Sequence, residues 1–230
     1  MRELFGVREA GSGVGVLAGA RPRVKICGIT NREDAETAIE LGADALGFNT
    51  SPRSTRFIDV GREEGWIRNL PRLATRVAVT VDSTLAELEE LGALELFDII
   101  QLHGAEDAAF CRLLGERGIP FIKAVALGGG SPLQRVEDFG AAAILLDTFT
   151  PRGFGGTGEL IDLDAVAEFT ARRPALRLVV SGGLRPENVA AVIRRVRPYA
   201  VDVASGVEAG PRRKDRKLLA SFLEAVRTAG

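Results

Sequence analysis

Three side chains able to exchange protons stand at the ends of short apolar runs in this sequence. Cys27 falls near the end of V-K-I-C-G (24–28), His103 closes I-I-Q-L-H (99–103), and Asp147 sits near the end of A-I-L-L-D-T (143–148). A thiol, an imidazole and a carboxyl can each work as acid or base near neutral pH once their surroundings tune them. By its position alone, Cys27 could also be packing filler, half a disulfide or a metal ligand. Alternate residues of an extended chain share a face. With Val24 and Ile26 on one side, Lys25 and Cys27 share the other; Ile100 and Leu102 leave Gln101 and His103 together; Ile144 and Leu146 leave Asp147 opposite them.

One layer deeper, the same alternation places Lys25, Gln101, Lys123 and Asp202 in a polar interior. There one or both lysines are expected to pair with Asp202, because an unpaired buried cation is costly. The competing placement is a lysine that snorkels to the far end of the strand. Of 30 basic residues only Lys25, Lys123, Lys214 and Lys217 are lysines, so a lysine inside a strand asks for an explanation. Glycine-rich stretches supply a different chemistry. They read F-T-P-R-G-F-G-G-T-G (149–158), S-G-G-L-R-P-E-N (181–188) and A-S-G-V-E (204–208). Glycine lets backbone N–H groups approach an anion closely, and a helix start adds positive potential. Any one of these stretches is an ordinary tight turn. On adjacent strands the three describe a phosphate cup, with Gly156, Gly182, Gly183, Ser205 and Gly206 as its candidate lining.

The elements that must carry these groups alternate regularly from residue 22. Apolar, β-branched runs fall at 24–28, 45–49, 76–81, 99–103, 121–127, 143–148, 177–182 and 201–206, with amphipathic helical stretches between them. Thr30 or Asn31 caps the first helix, which ends near Gly42; Ser83 starts another that ends at Gly92. Pro186 is placed in the first turn of R-P-E-N-V-A-A-V-I-R-R. Strand then helix, eight times over about 200 residues, is the pattern of a single-domain α/β TIM barrel spanning 22–230. An open doubly wound sheet is the alternative. Both put the active site at the carboxyl ends of the strands.

The bulk properties narrow the chemistry further. The 30 basic and 31 acidic residues nearly cancel, so no basic field invites nucleic acid or an acidic membrane. No apolar run reaches the roughly 18 residues that span a bilayer. Two cysteines, Cys27 and Cys111, make a weak disulfide framework, and no Cys/His cluster suggests a metal. A reducing cytoplasm and a small-molecule partner are expected. Residues 1–21 read as a flexible extension; their G-S-G-V-G-V follows no strand and has Val16 where a dinucleotide loop needs glycine.

Taken together, K-I-C-G-I-T, S-P-R-S-T-R-F-I, Q-L-H-G, L-L-D-T, G-G-T-G, S-G-G-L-R-P-E-N-V and D-V-A-S-G-V-E resemble the phosphoribosylanthranilate isomerase family of tryptophan biosynthesis. The match is collinear from about residue 23 to about 228. The resemblance implies a TIM barrel that converts N-(5-phosphoribosyl)anthranilate to 1-(2-carboxyphenylamino)-1-deoxyribulose 5-phosphate. This Amadori rearrangement needs neither metal nor organic cofactor. By resemblance Asp147 is the general acid that assists furanose opening, and Cys27 the general base at C2′. Arg56 would meet the anthranilate carboxylate, and His103 would line the site; a hydrogen-bonded interior histidine is the plainer account of His103. The protein would be a monomer or homodimer.

The residue chemistry suits those roles. A free thiol titrates near ~8.5, and Lys25 on the same face is expected to help lower it. Asp147 must hold a proton, which an apolar setting from Phe149 and Phe154 would favour. Cys111, mid-helix, is expected simply to pack. The chain departs from the family at Asn49 and Thr50, where apolar residues are usual, at Ala204, usually serine, and at Ile161-Asp162-Leu163 after G-G-T-G. An epimerase on this barrel would want metal-binding histidines, and a synthase a lysine with glutamates; a bifunctional relative would want aspartate in place of Cys27. A non-catalytic phosphosugar-binding relative would keep the glycine loops without needing Cys27 and Asp147 together.

Overall fold

The computed structural model describes residues 21–126, 132–147 and 163–229. Eight parallel strands form its centre: β1 (Arg23–Cys27), β2 (Ala45–Asn49), β3 (Thr75–Thr80), β4 (Ile99–Leu102), β5 (Phe121–Ala126), β6 (Ala143–Asp147), β7 (Leu178–Ser181) and β8 (Ala200–Val203). Each pairs with its sequence neighbours, and β8 pairs back to β1 through Lys25 opposite Asp202. That last ladder closes a barrel and excludes the open sheet.

Helices α1 (Arg32–Leu41), α2 (Val60–Arg68), α3 (Leu85–Ala93), α4 (Ala108–Glu116), α5 (Leu163–Ala171), α6 (Val189–Val196) and α7 (Arg216–Ala229) lie between and after the strands. Their starts follow from side chains that satisfy free N–H groups. Asn31, rather than Thr30, caps α1 by accepting from Asp34 N–H. Thr84 and Glu87 form a reciprocal box on α3. Two expectations shift. The described part of the β5–β6 connection is a 3-10 helix, Pro132–Phe139. Residues 186–188 form a turn ahead of α6, in which the Asn188 side chain accepts from Arg185 N–H and donates to the Gly183 carbonyl. A short hairpin, β9 (Glu208–Gly210) with β10 (Arg213–Lys214), was not anticipated and enters the strand 8 connection.

Apolar side chains form two layers. Val24, Ile26, Ile100, Leu102, Ile144, Leu146 and Val201 join the helices outside, while Cys27, Val77, Val79, Ile99, Ile122, Leu145 and Val179 fill the barrel. The alternation inferred for β1, β4, β6 and β8 is therefore observed. Lys123 is a correction. Phe121 and Val125 face the outer layer and Ile122 and Ala124 the inner, so Lys123 points out of the barrel. It donates to the Gly104 carbonyl at 2.7 Å and to Glu106 Oε2 at 2.8 Å. Asp202 pairs with Lys25 at 2.9 Å and accepts from Ser181 Oγ at 3.1 Å. Lys25 is fully buried and does not snorkel.

Of the expected extension only Arg21 is described; its guanidinium grips Asp44 at 2.7 and 3.0 Å. No helix among the described residues is long and apolar enough to cross a membrane. Cys27 and Cys111 are both buried and free of disulfide. Burial among α4's neighbours pushes the Cys111 thiol up to about 11, in keeping with a packing role.

Candidate active site

At the carboxyl end of β1 the chain turns through Gly28, with φ of 76°. The N–H groups of Gly28 and Ile29 both reach the Gly47 carbonyl of β2 at 2.9 Å, which anchors the bend directly above Cys27. A Cβ on Gly28 would lie 2.3 Å from Arg56 Cδ, so glycine is required both for its backbone angle and for the arginine lying across it. Gly47 does the same one strand over. A Cβ there would fall 2.9 Å from Cys27 Sγ and 3.0 Å from Lys25 Nζ, so its absence is what gives both groups room.

The expected lowering of the Cys27 thiol is outweighed. Burial pushes it up; Lys25 pulls it down, Asp202 opposes Lys25, and Lys214 helps lower it. The net direction is upward, chiefly because burial outweighs the two lysines, with Asp202 also offsetting part of the pull of Lys25. Lys25 itself works against burial but is raised on balance by Asp202 and Cys27, so it stays an ammonium.

Arg56 is brought beside Cys27 by the turn after β2, where Arg56 N–H donates to Ser54 Oγ. Its Nε and Nη2 donate to the two oxygens of Glu208 at 2.7 Å each. This side-on fork leaves the Nη1 edge facing away from Glu208. Lys214 completes the group from β10. Its Nζ donates to the carbonyls of Cys27 at 2.7 Å and Ala204 at 3.0 Å, and to Glu208 Oε1 at 3.0 Å. Three acceptors for three N–H donors hold this side chain as an ammonium, although burial lowers its pKa. Burial opposes the Glu208 charge, yet Arg56 and Lys214 outweigh it and keep the carboxylate low.

On the opposite side, His103 Nε2 lies 3.2 Å from Asp147 Oδ2, and His103 Nδ1 lies 2.8 Å from Gln101 Nε2. Beyond β7, Gly182 and Gly183 have φ of 94° and 62°. A Cβ on Gly206 would lie 1.9 Å from the Leu184 carbonyl oxygen, so the loops after β7 and β8 meet at this glycine. Ser205 begins the 3-10 turn beside it. Gly156, Phe149 and Phe154 lie outside the described residues. Of the departures, Thr50 Oγ1 donates to the Val79 carbonyl at 3.2 Å, which turns its hydroxyl to the backbone.

A base candidate, an acid candidate, an arginine fork and two abutting glycine loops thus share one rim. The model of the N-(5'-phosphoribosyl)anthranilate isomerase family matches residues 24–225. The chain belongs to this family. It is 41% identical over 201 residues to the isomerase of Geobacter sp. (strain M21), covering 87% of this chain and 96% of that one. Against the crystal structure of the Thermotoga maritima isomerase, the TM-score is 0.77 at 40% identity, with 90% of this chain and 99% of that one covered. A further isomerase structure, solved with reduced 1-(o-carboxyphenylamino)-1-deoxyribulose 5-phosphate, gives a TM-score of 0.74 at 38% identity over 90% of this chain and 99% of that one.

For an isomerase of this family, sequence reasoning missed Lys214, Glu208 and Ser181. The signal for Lys214 was present: it is one of only four lysines in the chain. Its short strand was not, because two residues carry no periodicity. Among the described residues no three His, Cys, Asp or Glu side chains are grouped to hold a metal ion.

Proposed function

We propose that Asp147 and Cys27 carry the isomerisation of N-(5'-phosphoribosyl)anthranilate as acid and base, with the loops after β7 and β8 holding the phosphate. The observation that supports this reading most is the shared rim. Cys27 and Asp147 both face the barrel interior, at the carboxyl ends of β1 and β6. Acid and base are thereby held on different strands, as a reaction with two proton transfers at separate sugar atoms requires.

The protons balance within the pair. Asp147 gives its proton to the furanose oxygen; the C1′–O bond breaks and the nitrogen lone pair forms the iminium. Cys27, as thiolate, takes the C2′ proton; that C–H pair becomes the C1′–C2′ double bond while the iminium electrons return to nitrogen. Asp147, now a carboxylate, takes the proton of the 2′-hydroxyl as the ketone forms, and Cys27 returns its proton to C1′. Both groups end as they began. The open Nη1 edge of Arg56 is suited to the anthranilate carboxylate, in end-on contact beside its side-on pair with Glu208.

The test is loss of substrate fluorescence with purified protein beside Cys27→Ser and Asp147→Asn. Removing either group is expected to lower kcat by about 10²-fold or more. Wild-type turnover no faster than that of either variant would end this reading.

A further inference from the structure

We propose that Gln101 is a positioning residue: its amide holds His103 as the Nε2–H tautomer, so that the ring donates to Asp147 Oδ2 and leaves the acidic proton of Asp147 to Oδ1. The catalytic part of this proposal rests on the acid role of Asp147 given above.

Gln101 is fully buried, and its register partners on β3 and β5 are Val79 and Ile122. An apolar residue would suit such a position, and a buried amide is costly unless it is matched. This one is matched on one side only. Nε2 lies 2.8 Å from His103 Nδ1, while Oε1 is the one buried side-chain polar atom without a partner among the described residues. Turning the amide over would bring Oε1 to the ring, but would strand an NH2 group with two hydrogens instead of one carbonyl oxygen. The orientation with fewer stranded groups has the amide donating, so Nδ1 accepts and the ring proton sits on Nε2.

The consequence passes along the chain of contacts to Asp147. With Nε2–H donating at 3.2 Å, Oδ2 is occupied as an acceptor. When Asp147 gives up its Oδ1 proton, the same N–H remains to stabilise the carboxylate that forms, and the imidazole neither gains nor loses a proton. With the opposite tautomer, the Nε2 lone pair would compete with the substrate for the proton of Asp147. The unmatched Oε1 is thus accounted for by what the other end of the amide does.

The chain has a single histidine, so the test needs no assignment. Long-range 1H–15N correlation on 15N-labelled protein at neutral pH should show Nδ1 unprotonated and Nε2 protonated. Gln101→Glu presents only an acceptor to Nδ1 and should move the proton there or charge the ring. Gln101→Met removes both hydrogen-bonding atoms and should give averaged nitrogen shifts. Both variants should lose about tenfold or more in kcat with little change in KM, because the acid is misdirected while binding is intact. A protonated Nδ1 in the wild type would overturn the proposal without any variant having to fold, and so would a Gln101→Met spectrum identical to the wild type. Asp147→Asn with wild-type kcat would instead refute the acid role, and with it the catalytic consequence, whatever the nitrogen shifts show.

Discussion

As the proposed base, Cys27 rests as a thiol and acts only once it has lost its proton. Burial holds its proton on more firmly than in water, and the two lysines that favour the thiolate only partly offset this. On the proposed mechanism the working base is therefore a small thiolate fraction that grows with pH. We expect kcat/KM to rise about tenfold per pH unit through neutrality. A flat profile from about pH 6 to about pH 9 would count against Cys27 as base. Lys214→Met should move this limb to higher pH, since the removed ammonium is one of the groups that lower the thiol. A limb left in place would show that Lys214 acts only through Glu208 and Arg56. At this scale the sequence was legible where polar and apolar residues alternate. It misled at Lys123, because the other residues of F-I-K-A-V-A are apolar on both faces, and a strand buried on two faces leaves no period to say which face the lysine shares.

At the scale of elements, close backbone approach does what side chains do elsewhere. Gly206 lets the β8 loop rest on the Leu184 carbonyl of the β7 loop, a contact that no other residue type permits without movement. Gly206→Ala should therefore separate the two loops and, with the phosphate bound there as proposed, weaken competitive inhibition by inorganic phosphate about tenfold or more, since aligned backbone N–H groups attract anions. Inhibition unchanged from the wild type would place the phosphate elsewhere. The β9–β10 hairpin works in a similar way. It carries Lys214 back beneath the ends of β1 and β8, so a short connection after the last strand becomes part of the site. Caps and strand cores were readable, because they depend on neighbours in sequence. The hairpin was not, because Lys214 is placed by the carbonyls of Cys27 and Ala204 in other segments; nor was the turn ahead of α6, where Asn188 bonds back to Arg185 and Gly183 of its own loop in place of a first helical turn.

For the whole molecule, closure is the decisive event. The first and last strands meet through Lys25 and Asp202, separated by 177 positions and both buried. Lys25→Met would leave a buried carboxylate with Ser181 as its remaining side-chain donor. Breaking such a pair from one side costs about 3–5 kcal/mol, and urea unfolding should report it. For a domain of this size the melting temperature should fall by on the order of 10 °C. A loss below about 1 kcal/mol would mean that Asp202 takes up a proton or a new partner instead.

The sequence by itself determined the strand and helix order, most of the inward and outward faces, and the placing of Cys27, His103 and Asp147 at strand ends. These depend on alternation and capping, which act over a few residues. Only the tertiary structure decided that the sheet closes, and that Lys25 rather than Lys123 meets Asp202. It also decided that Arg56 reaches Glu208, 152 positions away, and that burial outweighs nearby cations at the Cys27 thiol. Those outcomes depend on which groups leave water together, and residues distant in the chain settle that only when they pack.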